Sequence, residues 1–314
     1  MSTHPPTTLR LGARGSLLSR LQSTMIAREL EATHPNLKVE LVIITTSGDQ
    51  IQDRPLHEFG GKGLFTKELE LALLRHEVDF AVHSFKDVPV TMPLVDIADL
   101  IIASVPERED PRDVLASPSA KSLADLPRAA RVGTSSLRRQ AQILALRPDL
   151  TLLPIRGNID TRLRKLQSGQ YDAIILALAG TRRAGLFDPA LMTPIPEDQL
   201  LPAAGQGALA LQCRRDNPGV QQILTSLNHP PTAQAADLER QIVRLLNGDC
   251  HSPIAALATF SSTTLTLRAA VAARDGHPPV IKAHTALPIT RALEAPQLLY
   301  DQLAQQGAQK LLAG

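Results

Sequence analysis

The stretches Gly133–Arg139 (Gly-Thr-Ser-Ser-Leu-Arg-Arg) and Arg156–Arg162 (Arg-Gly-Asn-Ile-Asp-Thr-Arg) set cations, small hydroxyls and glycines where two helices should begin. A guanidinium stays charged and presents a planar fork of donors that matches a carboxylate or phosphate through two bonds at once. A helix N-terminus adds unpaired backbone N–H groups and a partial positive charge. Taken singly, each arginine reads as a solvated cation on an amphipathic helix. Repetition of the device at two strand-to-helix junctions describes a pocket for a ligand carrying several negative groups.

A second candidate is Ser84-Phe85-Lys86-Asp87-Val88-Pro89, directly after an expected strand at Val78–His83. In an open α/β sheet, ligands sit at the carboxyl ends of strands. A carboxylate there, beside fixed cations, stays ionised, stabilises a developing positive charge and relays a proton. The same residues also make an ordinary Lys-Asp turn closed by Pro89, and position alone supports both readings equally. Gly60-Gly61-Lys62-Gly63 lacks the Walker spacing and the Ser/Thr after its Lys, so it reads as a Gly-hinged lid carrying a cation. Asp49, in Ser47-Gly48-Asp49, reads as a turn residue.

Cys250 falls in a loop after Gly248, which is expected to close the preceding helix. A helix C-terminus is the negative end, so its dipole does not activate this thiol, and a His–Cys hydrolase built on His251 has thin support. A loop cysteine near an anion pocket suits a covalently attached group; alone, a buried inert thiol is the simpler reading. Cys213, beside the apolar Ala208–Leu211 run, reads as inert. The histidines have no metal-ligand spacing, and no metal is expected.

These groups need a scaffold. Leu9–Ala13, Leu37–Ile44 and Val78–His83 read as strands alternating with helices at Ser16–Glu31 and Gly63–Arg75, the signature of a parallel sheet covered by helices. The charged, Pro-bounded segment Val105–Arg112 breaks the pattern as a hinge. A second alternation follows: a strand near Arg131–Val132, a helix Ser136–Leu146, a strand Thr151–Ile155, a helix Asp160–Gln167 capped by Gly169, and a buried strand Tyr171–Ala179. Ala203–Leu209 reads as a return crossing to the first lobe. A helix Thr232–Leu246, strands Ala256–Phe260, Thr264–Ala272 and Val280–His284, and a final helix Arg291–Leu312 make a small α+β domain. The fold class is therefore α/β, two lobes with a hinge plus that domain.

The bulk numbers agree. At 314 residues, with 43% hydrophobic and 20% charged side chains, the chain fills two or three cores. A net charge of +2 supports neither a nucleic-acid tail nor a membrane-surface patch. Trp is absent and aromatics are 3%, against base-stacking platforms. Two cysteines make no disulfide framework, and Met1–Thr8 resembles neither a signal nor a transit peptide, so a soluble cytoplasmic protein is expected.

Five motifs in this order, Val82–Pro89, Glu107–Asp113, Gly133–Arg139, Arg156–Leu163 and Pro202–Gly207, resemble the porphobilinogen deaminase (hydroxymethylbilane synthase) family from about Leu9 to the end of the chain. The resemblance implies a transferase that joins four porphobilinogen molecules head to tail, with loss of ammonia, in tetrapyrrole biosynthesis. It implies two lobes like those of a periplasmic binding protein, here 1–106 with 206–225, and 107–205, plus a C-terminal domain at 226–314 carrying the cofactor cysteine. The growing chain would sit on a dipyrromethane cofactor attached by a thioether to Cys250, with Glu239-Arg240 upstream. Asp87 would be catalytic; Lys86, Ser84, Thr134, Ser136, Arg138, Arg139 and Arg162 would bind the cofactor. Arg14, Ser16, Gln22, Arg156, Arg183 and Gln206 would bind substrate, and Lys62 and Phe65 would lie on a loop over the cleft. A monomer is implied. Asp249 and Ser252 depart from the family's usual Gly-Gly-Cys and the hydrophobic residue before the Pro. A non-catalytic two-lobed polycarboxylate-binding protein would explain the arginines and hinge but give Asp87 and Cys250 no shared task.

Overall fold

The computed structural model describes residues 7–46, 66–90, 99–249 and 251–313. The chain begins β1 (Thr8–Arg14), α1 (Leu17–Thr33), β2 (Lys38–Ile44), α2 (Lys67–Leu74), β3 (Phe80–Ser84), a 3-10 turn (Phe85–Asp87) and β4 (Leu100–Ser104). It continues β5 (Asp113–Ala116), β6 (Arg131–Gly133), α3 (Leu137–Leu146), β7 (Thr151–Leu153), α4 (Ile159–Gln167), β8 (Ala173–Ala177), α5 (Leu178–Arg183) and β9 (Met192–Pro194). Then come β10 (Leu209–Arg214), α6 (Pro218–Thr225), α7 (Pro230–Leu245), β11 (Ile254–Phe260), β12 (Thr264–Ala272), β13 (Val280–Pro288), a 3-10 turn (Ile289–Glu294), α8 (Ala295–Gln305) and α9 (Ala308–Ala313).

Contacts divide the chain into Met1–Glu109 with Ala208–Ala233, and Asp110–Gly207 with Gln234–Gly314. The first unit holds a five-stranded sheet ordered β2-β1-β3-β10-β4. Its β1 pairs in parallel with β2 and β3, while β10 runs antiparallel between β3 and β4. Alternation sets the faces of β1, with Leu9, Leu11 and Ala13 all buried. Ser16 starts α1 by accepting a hydrogen bond from the Ser19 N–H, and Gln22, Ser23, Ile26 and Leu30 form the buried face. Phe80, Leu209, Leu211 and Cys213 join Leu9, Ile26 and Leu30 in one core. A side chain the size of Phe80 stabilises by about 1.5–3 kcal/mol when fully buried.

The second unit repeats the plan in a sheet ordered β7-β6-β8-β5-β9, with β6 parallel to β7 and β8, and β5 antiparallel to β8 and β9. The central strands β5 and β8 are buried on both faces: Ile175 packs with Val132 and Ile143, and Ile174 with Ile155 and Leu166. This unit also contains the antiparallel sheet β11-β12-β13, whose Ala255, Leu257 and Ala270 pack with Leu201.

The expected α/β class with a small C-terminal α+β part is the observed one. Several boundaries differ for local reasons. The strand expected to run to Ala179 stops at Ala177, because Leu178–Arg183 turns into a buried helix. The single helix expected over Arg291–Leu312 is three pieces, interrupted where Gly307 adopts φ +89°. After α7 it is Asn247, at φ +52°, that takes the left-handed conformation; Gly248 instead makes room, since a Cβ there would lie 2.4 Å from Ile254. The strands β4, β5 and β9 and the helix α6 were not read from the sequence. Val105–Arg112 has no regular structure, and Arg112 donates to both carboxylate oxygens of Asp110 within it.

Candidate active site

In the first unit, β1 and β3 both end at one recess, lined by Arg14, Ser16, Gln22, Thr66, His83, Ser84 and Asp87. The Arg14 N–H donates to Ser19 Oγ at 3.1 Å, which fixes the crossing from β1 into α1. Gln22, 5% exposed, accepts from Ser84 Oγ at 3.3 Å, so the first helix and the third strand meet across the recess. The 3-10 turn after β3 sends Phe85 into the core and leaves Asp87 exposed. Its position is set by Phe85 N–H donating to Ala208 O at 3.0 Å and Val88 N–H to Phe85 O at 3.2 Å. Among the described residues no hydrogen bond or ion pair engages Asp87. Lys86, on the same turn, is half-buried.

Behind the recess lies a buried chain that sequence reasoning missed. His83 bonds Gln212 Oε1 through Nε2 at 3.0 Å, and Gln212 Nε2 donates to Glu70 Oε1 at 3.2 Å. Burial, aided by the Arg14 charge and opposed by the Gln212 bond, lowers the His83 pKa to about 4. The available signal was a polar residue, Gln212, inside the otherwise apolar run Leu209–Cys213. In the same strand Cys213 is buried and its thiol is pushed up to about 12 by desolvation, which matches the inert reading.

The second unit treats its cations differently. Arg138 and Arg139, 5% and 7% exposed, both converge on Asp113, which is fully buried. Arg138 Nη2 donates to Asp113 Oδ2 at 2.9 Å and Nη1 to Leu201 O at 2.6 Å. Arg139 donates to Asp113 Oδ1 through Nη2 at 2.7 Å and to Ile175 O through Nη1 at 2.9 Å. Gln206 Nε2 adds bonds to Asp113 Oδ1 at 2.8 Å and Pro111 O at 2.7 Å. Desolvation pulls the Arg138 pKa down and the Asp113 charge opposes it. The helix start itself is polar: Thr134 Oγ1 accepts from the Ser136 N–H at 3.2 Å, and the Ser136 side chain makes no cap bond. Arg183 donates to Gly207 O at 2.8 Å.

Around the second motif, Gly157 adopts φ +107°, and a Cβ there would fall 2.7 Å from Thr161, so this turn admits only glycine. Arg162 Nε donates to Gly157 O at 2.8 Å and Lys165 Nζ to Arg156 O at 3.2 Å, which close the loop; Arg156 is half-buried. Lys62, Phe65 and Cys250 lie outside the described residues, as do Asp49 and Gly60–Gly63. Asp249 and Ser252, which flank position 250, form a reciprocal box. Asp249 Oδ1 accepts from the N–H groups of His251 and Ser252 and from Ser252 Oγ, each at 2.9 Å, and the Asp249 N–H donates back to Ser252 Oγ at 2.9 Å. Burial works against the Asp249 charge, but the bonds from Ser252 and His251 bring its carboxyl below the usual range.

No group of three or more metal-ligating side chains occurs among the described residues. No described helix is long and apolar enough to cross a membrane. The residues that come together are thus Arg14, Ser16, Gln22, Ser84 and Asp87 in one unit, and Arg138, Arg139 and Gln206 around Asp113 in the other.

Two family models match the chain. The porphobilinogen deaminase dipyromethane cofactor binding domain covers residues 9–222, and the porphobilinogen deaminase C-terminal domain covers residues 233–305. The porphobilinogen deaminase of Geobacter metallireducens is 46% identical over 98% of this chain and 95% of that protein. That of Syntrophotalea carbinolica is 45% identical over 97% of this chain and 95% of its own length. The corresponding protein of Roseiflexus sp. is 44% identical over 98% and 99%. Among solved structures, a methionine binding protein aligns over 77% of this chain and 96% of its own at 15% identity, with a TM-score of 0.43. With both models matched in order and relatives aligned along nearly their whole length, the chain belongs to the porphobilinogen deaminase family.

Proposed function

We infer that the chain is a transferase that joins four porphobilinogen molecules head to tail, releasing ammonia at each addition, to give hydroxymethylbilane for tetrapyrrole biosynthesis. The observation that carries this reading is the recess bearing Arg14 and the exposed Asp87, in a chain that matches the family from residue 9 onwards. Each porphobilinogen brings an acetate, a propionate and an aminomethyl group. When the amine leaves as ammonia, the exocyclic carbon becomes electron-poor and the ring carries positive charge. The Asp87 carboxylate would stabilise that charge, and a preorganised group of this kind typically contributes about two to three orders of magnitude in rate. The free α-carbon of the pyrrole already in place then attacks that exocyclic carbon, forms the new carbon–carbon bond and loses its ring proton.

The donor set suits a dipyrromethane cofactor. That group is rich in carboxylates, and Asp87 is the one carboxylate lining the described recess, among hydroxyls, an amide and Arg14. When bound, the cofactor supplies the covalent primer that the chain extends. We assign its attachment to Cys250, and its carboxylates to Lys86, Ser84, Thr134, Ser136, Arg138, Arg139 and Arg162. Asp113 already engages both Arg138 and Arg139, so these two would hold the cofactor with that buried counter-charge between them. Arg14, Ser16, Gln22, Arg156, Arg183 and Gln206 would hold the substrate, and Lys62 and Phe65 would cover it. The Asp249–Ser252 box supports the attachment by fixing the backbone on either side of position 250. The same reading divides the chain into 1–106 with 206–225, 107–205, and 226–314, and makes it a cytoplasmic monomer.

Intact mass under denaturing conditions tests this, before and after porphobilinogen is added, with Cys250→Ser alongside. The expected result is an adduct of two pyrrole units that is lost in the variant, and a ladder of further units with substrate. A folded chain with a reduced thiol that stays unmodified would favour the binding-protein reading instead.

A further inference from the structure

Glu70 on α2, Gln212 on β10 and His83 on β3 form a polar chain at 0%, 0% and 5% exposure, directly behind the recess. The chain fixes its own protons. Gln212 donates its amide N–H to Glu70 Oε1, so its carbonyl oxygen is the atom facing His83. A carbonyl only accepts, so His83 Nε2 carries the proton. Nδ1 is left as a bare lone pair. Among the described residues it has no hydrogen-bond partner, although His83 lines the same recess as Arg14, Ser84 and Asp87. A histidine serving only the core would account for Nε2 and leave Nδ1 without a task. Burial keeps the ring neutral at physiological pH, so it presents an acceptor without adding a positive charge beside Arg14.

We propose that His83 Nδ1 accepts a hydrogen bond from an N–H of the bound pyrrole, which makes His83 a second substrate-touching group beside Asp87. The proposal rests on the transferase reading above. Asp87 then supplies charge and His83 supplies direction: a neutral acceptor of fixed tautomer orients the pyrrole without competing for the developing cation. Glu70 and Gln212 are positioning residues that act through it.

Two variants separate this from a packing role. In His83→Gln the side-chain amide keeps a donor near the Nε2 position for Gln212 but has nothing at Nδ1. In His83→Asn the carbonyl oxygen falls near Nδ1, and the bond to Gln212 is lost. Steady-state kinetics with porphobilinogen, cofactor mass and thermal melting are measured on the holoenzymes. We expect His83→Gln to melt near wild type yet lose on the order of tenfold in kcat, the rate equivalent of one lost hydrogen bond. His83→Asn should melt lower yet retain more activity, so stability and turnover rank the variants in opposite order. Equal losses in both, or a wild-type rate in His83→Gln, would overturn the proposal. Ring ¹⁵N shifts of wild type near neutral pH give a readout independent of turnover: Nε2–H with bare Nδ1 is expected, and the opposite tautomer overturns it. If wild-type enzyme makes no product, the transferase reading fails, whereas active wild type with an unaffected His83→Gln sinks the histidine alone.

Discussion

In both five-stranded sheets a central strand runs parallel to one neighbour and antiparallel to a return strand, and each leads into a segment that carries charge. In the first, β3 passes through Ser84 into the short turn that exposes Asp87. In the second, β8 passes through Ala177 into a buried helix ending at Arg183. The return strands differ as well. Opposite Ser84 the first sheet has Leu209, whereas opposite Ala177 the second has the buried Asp113. The position of His83 in β3 is taken by Leu176 in β8. One plan has therefore been used in two ways. The first sheet backs its recess with the buried Glu70–Gln212–His83 chain and leaves the Asp87 carboxylate open. The second spends a carboxylate on holding two arginines in place.

The contrast is broken most forcefully at Asp113. Replacing it with Ala strands two guanidiniums that are 5% and 7% exposed, and removal of one partner from a buried ion pair costs about 3–5 kcal/mol. We expect a large drop in the denaturant midpoint. A midpoint close to wild type would mean these arginines reach solvent and the buried cluster is not what holds the sheet. Asp87→Asn is the mirror experiment. It should lose about two to three orders of magnitude in kcat, as removal of a preorganised charge does, with the melting temperature and cofactor mass unchanged. Wild-type turnover would remove Asp87 from the chemistry. The smallest effect sharpens the comparison at matching helix starts. Ser16 caps α1 through the Ser19 N–H at 3.4 Å, whereas Ser136 makes no side-chain cap bond at α3. Ser16→Ala should cost about 1 kcal/mol and Ser136→Ala close to nothing in chemical denaturation, and the reverse order would contradict the cap assignments.

Sequence periodicity located β1, α1, α3, α4 and β12 almost to the residue, since each is long or is punctuated by a capping Ser, Asn or Gly. It missed β5 because four residues opening on an aspartate, straight after a charged proline-bounded segment, carry no alternation to count. It merged α8 and α9 because a single glycine in a helical pattern is a weak stop signal. At the site, Asp87 was legible from residue type and from its place after a strand, whereas Arg14 was legible only through the family resemblance. The burial of Arg138 and Arg139 was not: it depends on Asp113 lying beside them, and only the sheet register creates that proximity. His83 lies inside the Val82–Pro89 motif, but its tautomer follows from Gln212 and Glu70, two residues remote in sequence and silent on their own.

The return strand β10 has a consequence for synthesis. It supplies Leu209, Leu211 and Cys213 to the first core and Gln212 to the polar chain behind the recess, yet it is encoded after every strand of the second sheet. As the chain leaves the ribosome, β5 to β9 can close as one contiguous block, while β3 waits with an unsatisfied edge. Non-local pairing of this kind is slow, and an unpaired edge invites association in the interval. The sheet whose strands emerge first is therefore closed after the second sheet, and the Asp87 recess gains its backing only when residue 212 arrives. Nascent chains cut short of that strand should be held by edge-binding chaperones, whereas chains extended past Arg214 should escape them.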